Sequence, residues 1–125
     1  MENNLSRFSR SERLLGKTAM EKLANSRVAV FGVGGVGGYC VEALARSGIG
    51  SIALIDADEV ALSNLNRQII ALSSTIGKDK VVVAKNRILD INPDCEVQTY
   101  KIYYNKDTQN DFDLSSYDYI VDAID

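Results

Sequence analysis

The chain of 125 residues contains no histidine, a single proline and only two cysteines. Without histidine it has no imidazole base, no imidazole metal ligand and no Ser–His or Cys–His nucleophile pair. The two cysteines, Cys40 and Cys95, lack the paired spacing of a zinc site or of a disulfide framework. We therefore interpret both as structural, and we expect any chemistry of this chain to rest on other residue types.

Long apolar runs and an excess of positive charge are also missing. No run approaches the roughly 20 apolar residues that a membrane span needs. Segment 1–7 lacks the apolar core of a signal peptide, so we expect a cytoplasmic protein without a membrane partner. The formal net charge of −3 argues against strong non-specific binding to nucleic acid. Because no repeat, low-complexity tract or flexible linker interrupts the sequence, we interpret residues 1–125 as one domain.

A glycine segment, residues 32–38 with the sequence GVGGVGG, is the most informative feature present. It follows the apolar run 28–31, which predicts a buried strand, and precedes 39–46, which predicts a helix capped by Gly48. Glycines at such a junction let the backbone approach a ligand and leave N–H groups free to bind a phosphate. The segment therefore predicts a nucleotide site. The glycines assigned to it are Gly32, Gly34, Gly35 and Gly37.

The rest of the chain alternates predicted helices and strands. The predicted helices are 5–24 (in one or two pieces), 39–46 and 78–91, with a short helix in 105–116. The predicted strands are 27–33, 51–56, 97–103 (nearer an edge) and 119–124. This order predicts an α/β, Rossmann-like fold in which a mostly parallel sheet carries helices on both faces. Since the sequence stops at the carboxyl end of a strand, where such sheets contact ligands, we expect it to be truncated.

Asp56 ends the second predicted strand, 19 residues after Gly37. In folds of this kind an acidic side chain at that spacing accepts hydrogen bonds from the hydroxyls of a ribose. The alternative is that Asp56 only caps a loop. Its spacing favours the ribose role.

The positive charge available distinguishes a dinucleotide from a triphosphate. Glycine amides and a helix dipole are enough to bind the pyrophosphate of a dinucleotide. The roughly four negative charges of a triphosphate need Lys, Arg and a metal ion to neutralise them. Arg67 and Lys80 follow the second strand, on the ligand side of the sheet. Lys80 would lie in the first turn of its helix, where a cation opposes the dipole unless a phosphate is bound. A surface lysine and an arginine paired with a carboxylate are the alternatives, but together with the glycine segment the two cations favour a triphosphate.

An ordered set of short motifs resembles the superfamily of ubiquitin-activating-type adenylating enzymes, which includes the ThiF, MoeB and HesA proteins. The motifs are RFSR at 7–10, the glycine segment, DAD at 56–58, SNLNRQ at 63–68, GKDK at 77–80, INP at 91–93 and DAID at 122–125. Within the superfamily, segments 45–50, 66–72 and 121–125 are most similar to the tRNA threonylcarbamoyladenosine dehydratase branch. Sulfur-carrier activators more often end the last motif with Cys-Thr-Asp-Asn, which is not found here.

The resemblance implies roles for individual residues. Arg10 matches the family arginine that reaches into a partner subunit's nucleotide site, which implies a homodimer. On the residues alone, a helix-surface arginine is an equally good interpretation. Asp125 would coordinate Mg²⁺, as a hard carboxylate should. The catalytic residues implied are Arg10, Arg67 and Lys80, and those implied to bind ATP are Gly32, Gly34, Gly35, Gly37, Asp56, Asp58, Asn64, Arg67, Gln68 and Lys80.

The reaction implied by the resemblance is attack of a substrate carboxylate on the α-phosphorus of ATP, which releases pyrophosphate and leaves an acyl-adenylate. Because a carboxylate is ionised at neutral pH, no general base is required and the missing histidine is no objection. In the dehydratase branch the carboxylate belongs to threonylcarbamoyl on a tRNA adenosine, and the adenylate is displaced as that group closes into a ring. We expect residues 1–125 alone to be inactive or nearly so.

Three alternatives remain at this point. The first is activation of the C-terminus of a ubiquitin-like sulfur-carrier protein, and the second is a nicotinamide-dependent oxidoreductase. The third is a nucleotide-binding regulator without turnover. The tRNA partner rests on the resemblance only, since no basic tract in the sequence is typical of an RNA-binding surface.

Overall fold

The computed structural model describes residues 2–125, with side chains from Arg7 onward. In that part of the chain the helices are α1 (Glu2–Leu15), α2 (Lys17–Ala24), α3 (Gly35–Arg46) and α4 (Lys80–Ile91). The strands are β1 (Arg27–Phe31), β2 (Ser51–Ile55), β3 (Glu96–Tyr100) and β4 (Tyr119–Asp122). Short 3-10 helices are formed by Leu62–Asn64, Gln109–Asp111 and Leu114–Ser116. Every predicted helix and strand is therefore present, with 5–24 divided into two helices.

The strands form one parallel sheet in the order β3-β2-β1-β4. Strand β2 is buried along its whole length, whereas β3 is exposed at both ends, as expected of the edge strand that it is. The chain proceeds from β1 outward to β3 and then returns to place β4 on the other side of β1. Open α/β sheets bind ligands in the crevice outside the carboxyl ends of the strands where such a reversal occurs.

One face of the sheet is covered by α3 and α4, which enclose the main core. Its buried residues alternate along β1 and β2 and meet the apolar sides of both helices. They include Val28, Val30, Ile52, Leu54, Val41, Ala45, Val81, Ala84 and Ile88. Burying one aliphatic side chain of this size stabilises the fold by about 1.5–3 kcal/mol. This packing fixes both helices, and with them the helix N-termini at the carboxyl edge of the sheet.

The opposite face of the sheet is covered by segment 101–118. Ala29, Phe31, Ala53 and Ile55 pack there against Ile102, Tyr104, Phe112 and Tyr117. The Phe31 ring lies edge to face with Tyr104 at 4.7 Å and with Phe112 at 5.6 Å between ring centroids. The predicted fold class is confirmed, although the helical cover of this face consists, within the described residues, of the last two 3-10 helices.

Gly48 ends α3 as predicted. Its φ of +85° lies in the left-handed region that favours glycine. The Gly48 N–H donates to the Ala45 carbonyl, and the Ile49 N–H donates to the Leu44 carbonyl. These two bonds form a Schellman motif.

Among the described residues, no helix combines the length and the apolar character needed to cross a membrane.

An ion pair between the two core helices gives the first testable prediction. Glu42 on α3 binds Arg87 on α4 at 2.5 Å and Arg46 at 2.7 Å, and its side chain is only 14% exposed. The hydrogen bond from Arg87, more than that from Arg46, lowers the pKa of Glu42 from its usual value of 4.5. Hydrogen bonds to a charged group contribute about 1.5–3 kcal/mol, so we expect Glu42→Gln to lower the free energy of unfolding by about 1–2 kcal/mol at pH 7.

The sign of the pH dependence follows from the lowered pKa. The Glu42 contribution is fully present above the unfolded-state value near 4.5 and is lost as pH falls through the folded-state pKa. Urea denaturation of wild type and Glu42→Gln between pH 7 and pH 3 should show the difference in unfolding free energy shrinking towards zero. A difference that keeps its full size at pH 3 would contradict this assignment.

Candidate functional site

A cavity of about 740 Å³ opens at the carboxyl ends of the strands. It lies between the glycine segment, the residues after β2, the loop around residue 67, the start of α4 and the segments after β3 and β4. Most of the residues predicted to form a nucleotide site line it. They are Gly32, Gly34, Gly35, Asp56, Asp58, Asn64, Arg67, Gln68, Lys80 and Asp125. The two others, Gly37 and Arg10, do not line this cavity.

The glycine segment approaches the cavity closely because it lacks side chains. Gly32 has a φ of +96°, and a Cβ on it would lie 2.5 Å from the carbonyl oxygen of Ala123. A Cβ on Gly35 would meet no heavy atom within 4 Å, and one on Gly34 would meet only the Gln68 side chain, 3.5 Å away. Open space of this kind above backbone N–H groups admits a phosphate.

Helix α3 begins at Gly35, inside the glycine segment and four residues earlier than predicted. Its N-cap, Gly34, has no side chain and therefore leaves the first N–H groups of the helix without a capping bond. Those groups and the helix dipole favour an anion at this point. Gly37 lies behind the site: a Cβ there would lie 1.7 Å from the Gly32 carbonyl oxygen, so its role in this structure is to let α3 pack against the end of β1.

Asp56 is held rigidly at the edge of the cavity. The Val33 N–H donates to its Oδ2 at 2.7 Å, and the Asp58 N–H donates to its Oδ1 at 2.8 Å. These bonds tie the glycine segment to the end of β2. Because a carboxylate oxygen has two acceptor positions, each oxygen keeps one for a further donor such as a ribose hydroxyl. Asp56 thus caps a loop and lines the cavity at once.

Lys80 lies in the first turn of α4, as predicted, and is its first residue, but it is not the surface lysine of the alternative interpretation. Its side chain is 7% exposed, and the nearest ion-pair partner, Asp58 Oδ2, is 3.9 Å from Nζ. Among the residues that the structure describes, Lys80 Nζ donates no hydrogen bond. A cationic side chain buried to this degree, with so distant a counter-ion, is costly in free energy. A bound anion in the cavity would relieve that cost.

The backbone around Lys80 holds its side chain in place. The Lys80 N–H donates to the Asp58 carbonyl at 3.1 Å. The preceding residue, Asp79, binds Lys101 Nζ at 2.8 Å, and Lys101 also pairs with Glu59 at 3.5 Å. The start of α4 is therefore fastened to the segments that follow β2 and β3, both of which line the cavity.

Asn64 folds the loop that carries Arg67. Its Oδ1 accepts a hydrogen bond from the Ala61 N–H at 2.7 Å, and its carbonyl accepts from the Arg67 and Gln68 N–H groups. Arg67 Nη1 donates to the Ser63 carbonyl and to Asn66 Oδ1. No carboxylate of the described residues pairs with Arg67, so the alternative of an arginine neutralised by a neighbouring carboxylate is wrong.

Sequence reasoning missed one wall of the cavity, formed by Ile102, Tyr103 and Tyr104. The predicted strand 97–103 covered most of this wall, but β3 ends at Tyr100 and the chain then turns over the cavity. The Tyr103 hydroxyl donates to Asp58 Oδ1 at 3.3 Å. The signal available was the run of an apolar and two aromatic residues beside the polar segment 105–116. The cavity is thus lined by glycines and the cations Arg67 and Lys80, which suit a phosphate, and also by apolar and aromatic residues, which suit a planar base.

The residues present are compatible with Mg²⁺ bound mainly through a substrate. Asp125 is exposed and lines the cavity. No group of three or more potential ligand residues that could hold a metal alone is found in the described chain. Mg²⁺ usually keeps several waters and is bound by one or two carboxylates together with substrate phosphates. A single carboxylate beside a phosphate site fits that pattern.

Both cysteines lie outside the cavity. Burial raises the pKa of Cys95 to about 11, and it also raises the pKa of the half-buried Cys40. Thiols with raised pKa values carry little thiolate at neutral pH and are poor nucleophiles. This agrees with the interpretation of both residues as structural.

The parallel sheet, the glycine-lined helix N-terminus and the acidic residue after β2 define an α/β domain of the nucleotide-binding class. The model of the ThiF family matches residues 8–125. The chain belongs to the ThiF family.

Known relatives agree with this assignment. The chain is 52% identical over 121 residues to the tRNA threonylcarbamoyladenosine dehydratase of Bacillus subtilis. The aligned region covers 97% of this chain and 48% of the relative. The crystal structure of the Escherichia coli dehydratase in complex with ATP superimposes with a TM-score of 0.94 at 42% identity, covering 97% of this chain and 50% of that one. The structure of the same dehydratase in complex with AMP superimposes with a TM-score of 0.93 at 42% identity. That match covers 97% of this chain and 49% of the other. The chain thus spans about half the length of the relatives it matches.

Proposed function

We propose that this chain is the nucleotide-binding part of an ATP-dependent adenylating enzyme that acts on the carboxylate of threonylcarbamoyladenosine in tRNA. The observation that carries the proposal is Lys80, whose side chain is largely buried and lines the same cavity as Gly34 and Gly35. Relatives whose names carry this activity match nearly the whole chain, and one of them has been crystallised with ATP. We also propose a cytoplasmic location, which gives access to ATP and tRNA.

The residues of the cavity can be given distinct roles in such a reaction. Asp56 would accept hydrogen bonds from the ribose, and the N–H groups around Gly34 and Gly35 would bind phosphate oxygens. Arg67 and Lys80 would neutralise the triphosphate and the pyrophosphate that leaves. Asp125 would hold Mg²⁺, which neutralises phosphate charge when bound. Catalysis would rest on positioning and charge neutralisation, because the attacking carboxylate is already ionised.

Arg10 requires a second copy of the chain in this proposal. It is exposed on α1 and does not line the cavity of its own subunit. We propose a homodimer in which Arg10 of each subunit enters the partner's cavity. The positive charges of Mg²⁺, Arg67, Lys80 and the Arg10 of the partner subunit would then together exceed the roughly four negative charges of the triphosphate.

Exchange of labelled pyrophosphate into ATP tests the proposed reaction. The full-length protein should support exchange and AMP release when given tRNA that carries threonylcarbamoyladenosine, because only that tRNA supplies the carboxylate. Matched tRNA without the threonylcarbamoyl group is the control and should give background signal. Background signal with both tRNAs would favour a regulator without turnover. Exchange that depends instead on a ubiquitin-like carrier protein would favour a sulfur-carrier activator.

A further inference from the structure

A short antiparallel bridge beside the nucleotide cavity places Glu59 opposite Asp79. Hydrogen bonds donated by the Val60 N–H, at 2.8 Å, and by the Lys80 N–H, at 3.1 Å, lie on either side of this pair. In antiparallel pairing, opposite side chains come closest where the flanking residues, rather than the pair itself, make the backbone hydrogen bonds. The bridge therefore brings two carboxylates side by side.

The two sides of the bridge carry different charges. Successive side chains of an extended segment point to opposite faces. Asp58 and Lys80 line the nucleotide cavity, whereas Glu59 and Asp79 do not. The cavity side thus has one carboxylate and one ammonium group, and the outer side has two carboxylates whose charges repel each other.

Lys101 neutralises the outer side of the bridge. Its Nζ lies 2.8 Å from Asp79 Oδ1 and 3.5 Å from Glu59 Oε2. Among the described residues, no other cation pairs with either carboxylate. Asp79 is the N-cap of α4, a position where aspartate usually accepts a hydrogen bond from the first turn of the helix, but its side chain makes no such bond. The carboxylate is directed to Lys101 instead.

Stability of the whole fold is a weak reason for this arrangement. The Lys101 side chain is 46% exposed, and ion pairs of exposed side chains add little to the free energy of folding. The effect of removing Lys101 should instead be local. The two carboxylates would repel each other across the bridge and weaken the hydrogen bond from the Lys80 N–H to the Asp58 carbonyl, which fixes the start of α4 beside the cavity.

We propose that Lys101 is a positioning residue for Lys80, because its charge keeps the bridge between Glu59 and Asp79 closed. The inference rests on the proposed function, in which Lys80 binds the triphosphate of ATP. Lys101 itself does not line the cavity, so it acts through the bridge rather than by contact with the nucleotide. The same charge also offsets two negative charges that would otherwise repel the phosphates.

Calorimetric titration of the full-length protein with Mg²⁺-ATP and with adenosine tests this role. Lys101→Met approximately preserves the length of the side chain and removes its charge, so it should bind ATP about fivefold more weakly than wild type. Lys101→Arg retains the charge and should bind ATP within about twofold of wild type. Adenosine has no phosphate for Lys80 to bind, so its affinity should be the same in wild type and in every variant.

A second substitution separates neutralisation of the bridge from the general loss of an ion pair. Asp79→Asn removes one of the two opposed charges and leaves a residue that suits the N-cap position. The double variant with Lys101→Met and Asp79→Asn should therefore recover ATP affinity to within about twofold of wild type. Lys106→Met is the matched control, since Lys106 is exposed, follows β3 as Lys101 does and does not line the cavity. It should leave ATP affinity unchanged, and all variants should unfold within about 3 °C of wild type.

Wild-type ATP affinity in Lys101→Met would overturn the inference and leave the proposed function intact. An equal loss of ATP and adenosine affinity, or a large fall in the unfolding temperature, would also overturn it, because the defect would then be one of folding. The same holds if the double variant or Lys101→Arg binds ATP as weakly as Lys101→Met, because binding would then not follow the charge at the bridge. If the wild-type protein bound no ATP, the proposed function and this inference would fail together.

Discussion

Lys80→Ala is expected to weaken ATP binding by at least about 100-fold while the protein remains folded. The side chain is 7% exposed, lines the same cavity as the glycine segment and has its nearest counter-ion 3.9 Å from Nζ, so a phosphate would supply a closer partner. Removing the side chain would delete the charge-assisted hydrogen bond that we propose between Lys80 Nζ and a phosphate of ATP. That bond would form in a largely desolvated part of the cavity. Calorimetric titration of wild type and variant with Mg²⁺-ATP measures the effect.

The control for this variant is Lys85→Ala, on the same helix but outside the cavity. It should leave ATP affinity within about twofold of wild type, since Lys85 does not line the cavity and a charge outside it is screened by salt. Midpoints of thermal unfolding show whether each variant is folded. A nicotinamide-dependent protein would bind NAD regardless of Lys80. Wild-type ATP affinity in Lys80→Ala would remove the main support for a triphosphate.

Gly37→Ala is expected to destabilise the fold by about 3 kcal/mol or more. A Cβ at this position would lie 1.7 Å from the carbonyl oxygen of Gly32, so either α3 or the glycine segment must move. The atoms that clash with this Cβ belong to the backbone of Gly32, which cannot rotate out of the way as a side chain can. Because the glycine segment forms one side of the cavity, ATP binding should be lost together with stability. Urea denaturation and ATP titration measure the two effects.

Gly35→Ala separates stability from binding. A Cβ on Gly35 would meet no heavy atom within 4 Å, so the folded protein should lose no more than about 0.5 kcal/mol of stability. The same Cβ would enter the space that we assign to the phosphates, so ATP affinity should fall. If Gly35→Ala were as destabilising as Gly37→Ala, the division between a ligand-facing and a packing glycine would be wrong.

The sequence made the framework of the site predictable because local signals and tertiary structure agree there. The apolar runs at β1 and β2 predicted buried parallel strands, and the glycine segment between β1 and α3 predicted the ligand edge. Asp56 and Lys80 were placed correctly because each lies within two residues of an element boundary. Residues at the carboxyl edge of a parallel sheet necessarily come near one another.

The burial of Lys80 and the wall of Tyr103 could not be predicted in this way. Burial of a lysine depends on how α4 packs over the loop after β2, which is a long-range property that local sequence does not encode. The strand pattern of 97–103 continued past Tyr100, but pairing with β2 stops there because β2 itself ends at Ile55. The placement of Arg10 remains a prediction, since its role requires a second subunit.

The position of the triphosphate relative to Lys80 tests the central claim most directly. A crystal structure of the full-length protein with ATP and Mg²⁺ would provide the distance from Lys80 Nζ to the nearest phosphate oxygen. We predict about 2.7–3.2 Å, with the phosphates above Gly34 and Gly35. Phosphates bound more than about 6 Å from Nζ, with Lys80 still paired only to Asp58, would contradict a triphosphate site built around this cation.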